Sequence, residues 1–209
     1  MTSKTPLPNG LPLTDAKLLL SNPYLPLEAG ISITPDGMRH IAASTYMAGS
    51  TGTMIDWWFG WIHNTDQYKL WHPRDHVFSD WEGPRDNDST YIGGHHLVHE
   101  YIGGKLAKLK ISFVDPGVYF GDTWKEDFKR AGYSTAVCGR VGNWDDDEPD
   151  GVRMRSRFWL GDIPGLDAEQ RLAAVDEGFA LGLLKHATEE MAILASILPG
   201  MYEKFAVKY

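Results

Sequence analysis

The chain has a single cysteine, Cys138, among its 209 residues, so no internal disulfide can brace it. A compact chain of this length needs none, because it buries roughly 70% of the surface that its unfolded form exposes. No apolar run approaches the roughly 20 residues that span a bilayer. The opening MTSKTPLPNG has no apolar signal core either. Together these absences lead us to expect a protein of the reducing cytoplasm, without membrane contact. Positive charge is scarce: 20 Lys and Arg against 28 Asp and Glu leave a net charge of −8. Such a chain repels phosphate backbones, which argues against nucleic acid as a partner. Common catalytic signatures are missing as well. There is no G-x-S-x-G, no G-x-G-x-x-G or phosphate loop, and no C-x-x-C or H-E-x-x-H spacing.

Aromatic side chains are plentiful: eight Trp, nine Tyr and eight Phe. They suffice either to fill a core or to line a cavity for a planar ligand. Residues 1–34 are broken by Pro6, Pro8, Pro12, Pro23 and Pro26 and read as an N-terminal extension, with one short helix at 15–21 behind Thr14. Residues 35–209 read as the domain proper. A strand is expected at 41–47. MIDWWFGW at 54–61 follows the caps Ser50, Thr51 and Thr53 as a short apolar helix, and a second helix at 65–71 ends before Pro73. Residues 82–90 are a loop by composition. HHLVHEYI at 95–102, Gly103-Gly104 and KLAKLKISF read as a hairpin with Ala107, Leu109, Ile111 and Phe113 on one face. Strands are expected at 134–141, with Cys138 as a buried inert thiol, and at 152–160, separated by an acidic loop at 145–148. One long helix is expected from Asp167 to about Leu198, stopped by Pro199 and Gly200, with the stripe Leu172, Val175, Phe179, Leu183, Ile193 and Ile197. This order suits an α+β fold in which a curved antiparallel sheet grips a long C-terminal helix and leaves a cavity between them.

Steps of three and four from Leu183 reach His186 and Glu190 before Ile193, so an imidazole and a carboxylate share the buried face one turn apart. A buried carboxylate needs a partner. A divalent metal, a Glu–His hydrogen bond or an arginine from the sheet would each serve. Six of the eight histidines, His63, His72, His76, His95, His96 and His99, lie upstream beside Glu100. Alternation puts His95 and His96 on opposite sheet faces and places Glu100 with His96, Val98 and Ile102.

MIDWWFGW (54–61), YKLWHPRDH (68–76), VHEYIGG (98–104), MRSRFWLG (154–161) and HATEE (186–190) occur in the order seen in one family. Over residues 35–197 the chain resembles the diacetylphloroglucinol and phloretin hydrolases. The resemblance implies a helix-grip fold of the START and plant-allergen type. It also implies a catalytic Zn2+ held by two histidines and two glutamates, and hydrolysis of the aryl–acyl carbon–carbon bond of a small phenolic ketone. Carried over by position, the metal ligands are His76, Glu100, His186 and Glu190, with His72 as the alternative to His76. Tyr68 matches a tyrosine that holds the phenolic oxygen, and His72 is the candidate for assisting proton transfer. A non-catalytic carrier of aromatic polyketides or flavonoids is the rival reading, and homo-oligomerisation stays open.

Overall fold

The computed structural model describes residues 9–20, 24–83, 91–120, 137–138 and 150–206. Their ladders form two antiparallel sheets. The first joins β1 (Gly30–Ile33), β2 (Arg39–Ala48), β7 (Gly151–Leu160) and β6 (Val137–Cys138) in that order. The second joins β3 (His76–Glu82), β4 (His95–Ile102) and β5 (Lys105–Ser112). The long C-terminal helix lies against β1 and β2 of the first sheet and β4 of the second. No helix among the described residues is long and apolar enough to cross a membrane.

The segment before residue 35 is fastened to the rest. A 3-10 helix at Leu13–Leu20 buries Ala16 and Leu19, and β1 pairs with β2. Between the sheets run α1 (Gly52–Trp61) and α2 (Thr65–Trp71). Thr51 caps α1 by accepting from the Met54 N–H, and Asn64 caps α2 by accepting from the Gln67 N–H. Trp58 is wholly buried. Its burial removes on the order of 200 Å² from water, about 5 kcal/mol at 25 cal/mol/Å². A short α3 (Gly117–Phe120) follows β5. The expected strand at 134–141 is described only at β6. The side chain of Cys138, the acidic loop 145–148 and most of the loop 82–90 lie outside the described residues.

The hairpin forms as its alternation dictates. His96, Val98, Glu100 and Ile102 are buried on one face of β4, while Lys108 and Lys110 of β5 point to solvent. Gly103 and Gly104 turn at φ 58° and 78°, the left-handed pair that a two-residue turn requires. Gly103 also meets the long helix. A Cβ on Gly182 would sit 2.6 Å from the Gly103 Cα, so backbone packs on backbone here.

The C-terminal region departs from the single helix expected. It is two helices, α4 (Ala168–Ala173) and α5 (Glu177–Phe205). Asp176 interrupts the run and caps α5 by accepting from the Phe179 N–H. Pro199 does not stop α5, which continues one and a half turns further. The missing N–H costs about 3 kcal/mol, and aromatic contacts of Tyr202 with Trp57 and of Phe205 with Trp61 hold the last turns in place. The buried face runs through Leu183, His186, Ala187, Met191, Leu194 and Leu198, with Ile193 and Ile197 at its margin.

Candidate metal centre

Pro73 ends α2, and the chain folds back through a tight turn. The Asp75 N–H donates to His72 Nδ1 (3.2 Å) and the His76 N–H to the His72 carbonyl (2.9 Å). This turn delivers His76 as the first residue of β3, directly opposite Glu100. The register shifts between His76 and Phe78, so Val77 is an extra residue and both His76 and Ser79 face inward. Across from them, α5 presents His186 and Glu190 four residues apart.

Four ligating groups converge. His76 Nε2 lies 3.7 Å from Glu100 Oε2 and 3.6 Å from Glu190 Oε2. His186 Nε2 lies 3.8 Å from each of the same oxygens. Ligand atoms of His76, Glu100 and His186 all fall within 4.8 Å of one another. His76 Nδ1 faces the Tyr68 carbonyl at 3.0 Å. A carbonyl only accepts, so Nδ1 carries the proton and Nε2 turns a lone pair toward two carboxylates. His76 Nε2 and both His186 nitrogens are buried without a hydrogen-bond partner. His76 Nε2 faces Glu100 as acceptor to acceptor, and Glu190 escapes the same conflict only by keeping its proton; a cation among them would relieve both, and imidazole nitrogens with carboxylate oxygens suit a divalent metal such as zinc.

The electrostatics agree. Burial, helped by the Glu100 charge and opposed by His186, pushes the Glu190 carboxyl up to about 8. Burial pulls the His76 imidazole below its ordinary 6.5, which keeps it neutral and able to ligate. The Tyr68 hydroxyl donates to Glu100 Oε2, and its ring stacks on His76 at 3.7 Å. Burial and the Glu100 charge raise its pKa well above the ordinary tyrosine value. Of this cluster, Tyr68, Glu100, His186 and Glu190 line a cavity of about 220 Å³ whose other walls include Phe59, Ile111, Phe113, Phe158 and Phe179. His96 also lines the cavity, with Nε2 2.7 Å from Ser79 Oγ.

The two histidines that the sequence leaves as alternatives occupy different layers. His76 is in the cluster. His72 is stacked on His186 at 5.0 Å and 15°, and with Asp75 and His186 it makes a second group whose ligand atoms lie within 4.8 Å of one another. His63, His95 and His99 are absent from the cluster. One neighbour had no role in the sequence reading: Asp75, whose Oδ2 lies 3.6 Å from His72 Nε2 and 3.7 Å from His186 Nδ1. An acid placed directly before a candidate ligand in W-H-P-R-D-H was the available signal.

The sequence profile of the DAPG hydrolase PhiG domain matches residues 11–203. The chain is 32% identical over 201 residues to the phloretin hydrolase of Eubacterium ramulus, covering 83% of this chain and 70% of that protein. It is 25% identical over 227 residues to the 2,4-diacetylphloroglucinol hydrolase of Pseudomonas protegens, covering 92% and 73% respectively.

Proposed function

From the premise that this chain belongs to the DAPG hydrolase family, we propose that it is a zinc-dependent hydrolase of acylphloroglucinol-type phenolic ketones. It cleaves the bond between the aromatic ring and the acyl carbon, giving a phenol and a carboxylic acid. Residues 35–209 carry the catalytic unit, with residues 1–34 as its N-terminal extension. The two sheets and α5 are read as a helix-grip arrangement. The observation that carries the proposal is the His76 Nε2 lone pair facing Glu100 and Glu190, two groups that line an apolar cavity.

His76, Glu100, His186 and Glu190 would hold the metal. Bound there, zinc supplies a Lewis acid and brings the acidity of water toward neutrality. A ring carbon is a poor leaving group unless hydroxyls ortho and para to it allow a keto tautomer. The scissile bond then becomes that of a β-diketone. Water adds to the acyl carbon, the bond to the ring breaks, and the ring carbon takes up a proton. Tyr68 keeps its own proton because its pKa is raised, and that proton is directed at Glu100 Oε2, so the Tyr68 oxygen meets the substrate's phenolic hydroxyl as a hydrogen-bond acceptor. The aromatic walls hold a planar ring and exclude bulk water. His72 acts from outside the cavity, behind His186.

The test is incubation of purified, zinc-analysed protein with phloretin, acetylphloroglucinols and their O-methylated analogues, following acid and phenol by chromatography. Free phenols should be cleaved and analogues methylated at the flanking hydroxyl spared. Equal cleavage of both overturns the tautomer route. Tight binding without cleavage supports a carrier instead, which the largely apolar cavity would also suit.

A further inference from the structure

We propose that Asp75 is the positioning residue of this centre, receiving the His186 Nδ1–H on Oδ2 and thereby turning the His186 Nε2 lone pair inward. The inference rests on the metal reading above. A neutral imidazole can place its proton on either nitrogen, and only the bare nitrogen ligates, so a partner at the far nitrogen decides which tautomer is present. For His76 that partner is the Tyr68 carbonyl. For His186 it is Asp75. His186 Nδ1 is buried without a hydrogen-bond partner, and Asp75 Oδ2 stands 3.7 Å away, close enough to shorten to a hydrogen bond when the ring is drawn to a cation.

The two oxygens of Asp75 divide their duties. Oδ1 accepts from Arg74 Nε at 3.0 Å. Oδ2 faces the two stacked imidazoles, 3.6 Å from His72 Nε2 and 3.7 Å from His186 Nδ1. His72 Nδ1 already accepts the Asp75 N–H, so the neutral His72 ring carries its proton on Nε2, pointed at the same oxygen. The Asp75 backbone is pinned on its other side too, its carbonyl accepting from the Tyr101 N–H at 2.9 Å, one residue beyond Glu100. The carboxylate is therefore fixed to the strand that bears Glu100, while its side chain addresses the helix that bears His186. Neither Asp75 nor His72 lines the cavity, and the cavity-lining side chain that both adjoin is His186, so both act through it.

The experiment uses the full chain as wild type, Asp75→Ala, Asp75→Asn and Arg74→Ala. Zinc affinity is measured by competition with a chromophoric chelator, and ligand geometry from the visible spectrum of the cobalt-substituted protein. Asp75→Ala should weaken zinc binding about 10–100-fold and change the cobalt spectrum. Asp75→Asn keeps an acceptor oxygen and should recover most of the affinity. Arg74→Ala removes the donors to Asp75 Oδ1 and to Glu189 but no contact of Oδ2, and should leave both readouts near wild type. Asp75→Ala with wild-type affinity and an unchanged cobalt spectrum overturns the inference alone. Equal losses in Asp75→Ala and Asp75→Asn, matched by equal falls in metal-free melting temperature, overturn it in favour of a purely structural acid. Wild-type protein that takes up no zinc removes the metal centre itself.

Discussion

Glu190 makes the stability of the metal-free chain depend on pH in a defined direction. An unfolded glutamate has lost its proton above its ordinary 4.5, whereas folded Glu190 keeps it to about 8. The folded state therefore binds more protons across that window, and stability falls as pH rises through it. His72 and His76 act oppositely. Burial pulls both below 6.5, so the unfolded chain binds the extra proton there and stability climbs toward pH 6.5. Above 6.5 the Glu190 contribution is the one of these three that remains. Metal-free protein should lose stability between about pH 6.5 and 8, and zinc-loaded protein should show a much flatter profile, by thermal melts across that range. A metal-free chain that gains stability over the interval contradicts the buried acid. The two W-H-P-R-D-H histidines should also separate by metal content. His76→Ala should fall well below one zinc per chain, while His72→Ala, lacking only a residue behind the cluster, should retain zinc; the reverse pattern exchanges their roles.

Among the elements, α5 and β4 are held at a distance set by Gly182 against Gly103. A methyl group at 182 would lie 2.6 Å from backbone atoms that cannot rotate away. Gly182→Ala should therefore push the helix off the hairpin, costing roughly 1–3 kcal/mol in urea unfolding and loosening zinc, because His186 is one turn along. Gly200→Ala is the control. A Cβ there meets nothing within 4 Å, and alanine in a helix should be neutral or stabilising by up to about 1 kcal/mol. Equal behaviour of the two variants would remove the spacing argument. The hairpin, the cap of α1, the extent of α2 and the inward set on β4 were legible from alternation, Gly103-Gly104, Pro73 and the polar residues before α1, all of which act over a few positions. His186 and Glu190 were legible for the same reason, as steps on one helix face. β3 was not, since its pairing depends on a bulge and a partner 24 residues away. Nor was the passage of α5 through Pro199, which depends on aromatic contacts with α1.

For the molecule as a whole, the segment before residue 35 is bolted to the first sheet by a buried ionic cluster. Arg155 and Arg157 are fully buried on one face of β7, where both guanidiniums meet Glu28. Arg155 also donates to the Leu19 carbonyl at 2.8 Å and Arg157 to the Leu27 carbonyl at 3.1 Å. Burial pushes the Glu28 carboxyl up, but the hydrogen bonds and charges of the two arginines outweigh it and hold the pKa below its ordinary value. Read as sequence, MRSRFWLG is a strand with two arginines and nothing marks them as interior, because their carboxylate lies more than 120 residues earlier. Glu28→Ala leaves two buried cations without their anion and should cost about 3–5 kcal/mol in denaturant unfolding. A loss below about 1 kcal/mol would mean that the cluster does not fasten the segment.

The bulge at Val77 decides which side chains β3 turns inward. Side chains alternate along a strand, so drawing β3 straight through all seven residues from His76 would turn Phe78 and Asp80 inward and Ser79 outward. His96, which lines the cavity, would lose the Ser79 hydroxyl that it meets, and a carboxylate would be turned into the interior. The surplus residue resets the parity of the strand between its first inward side chain and its second. Shortening β3 by Val77 alone would keep His76 and Ser79 facing inward, whereas shortening it by Ser79 would swing Asp80 inward in its place.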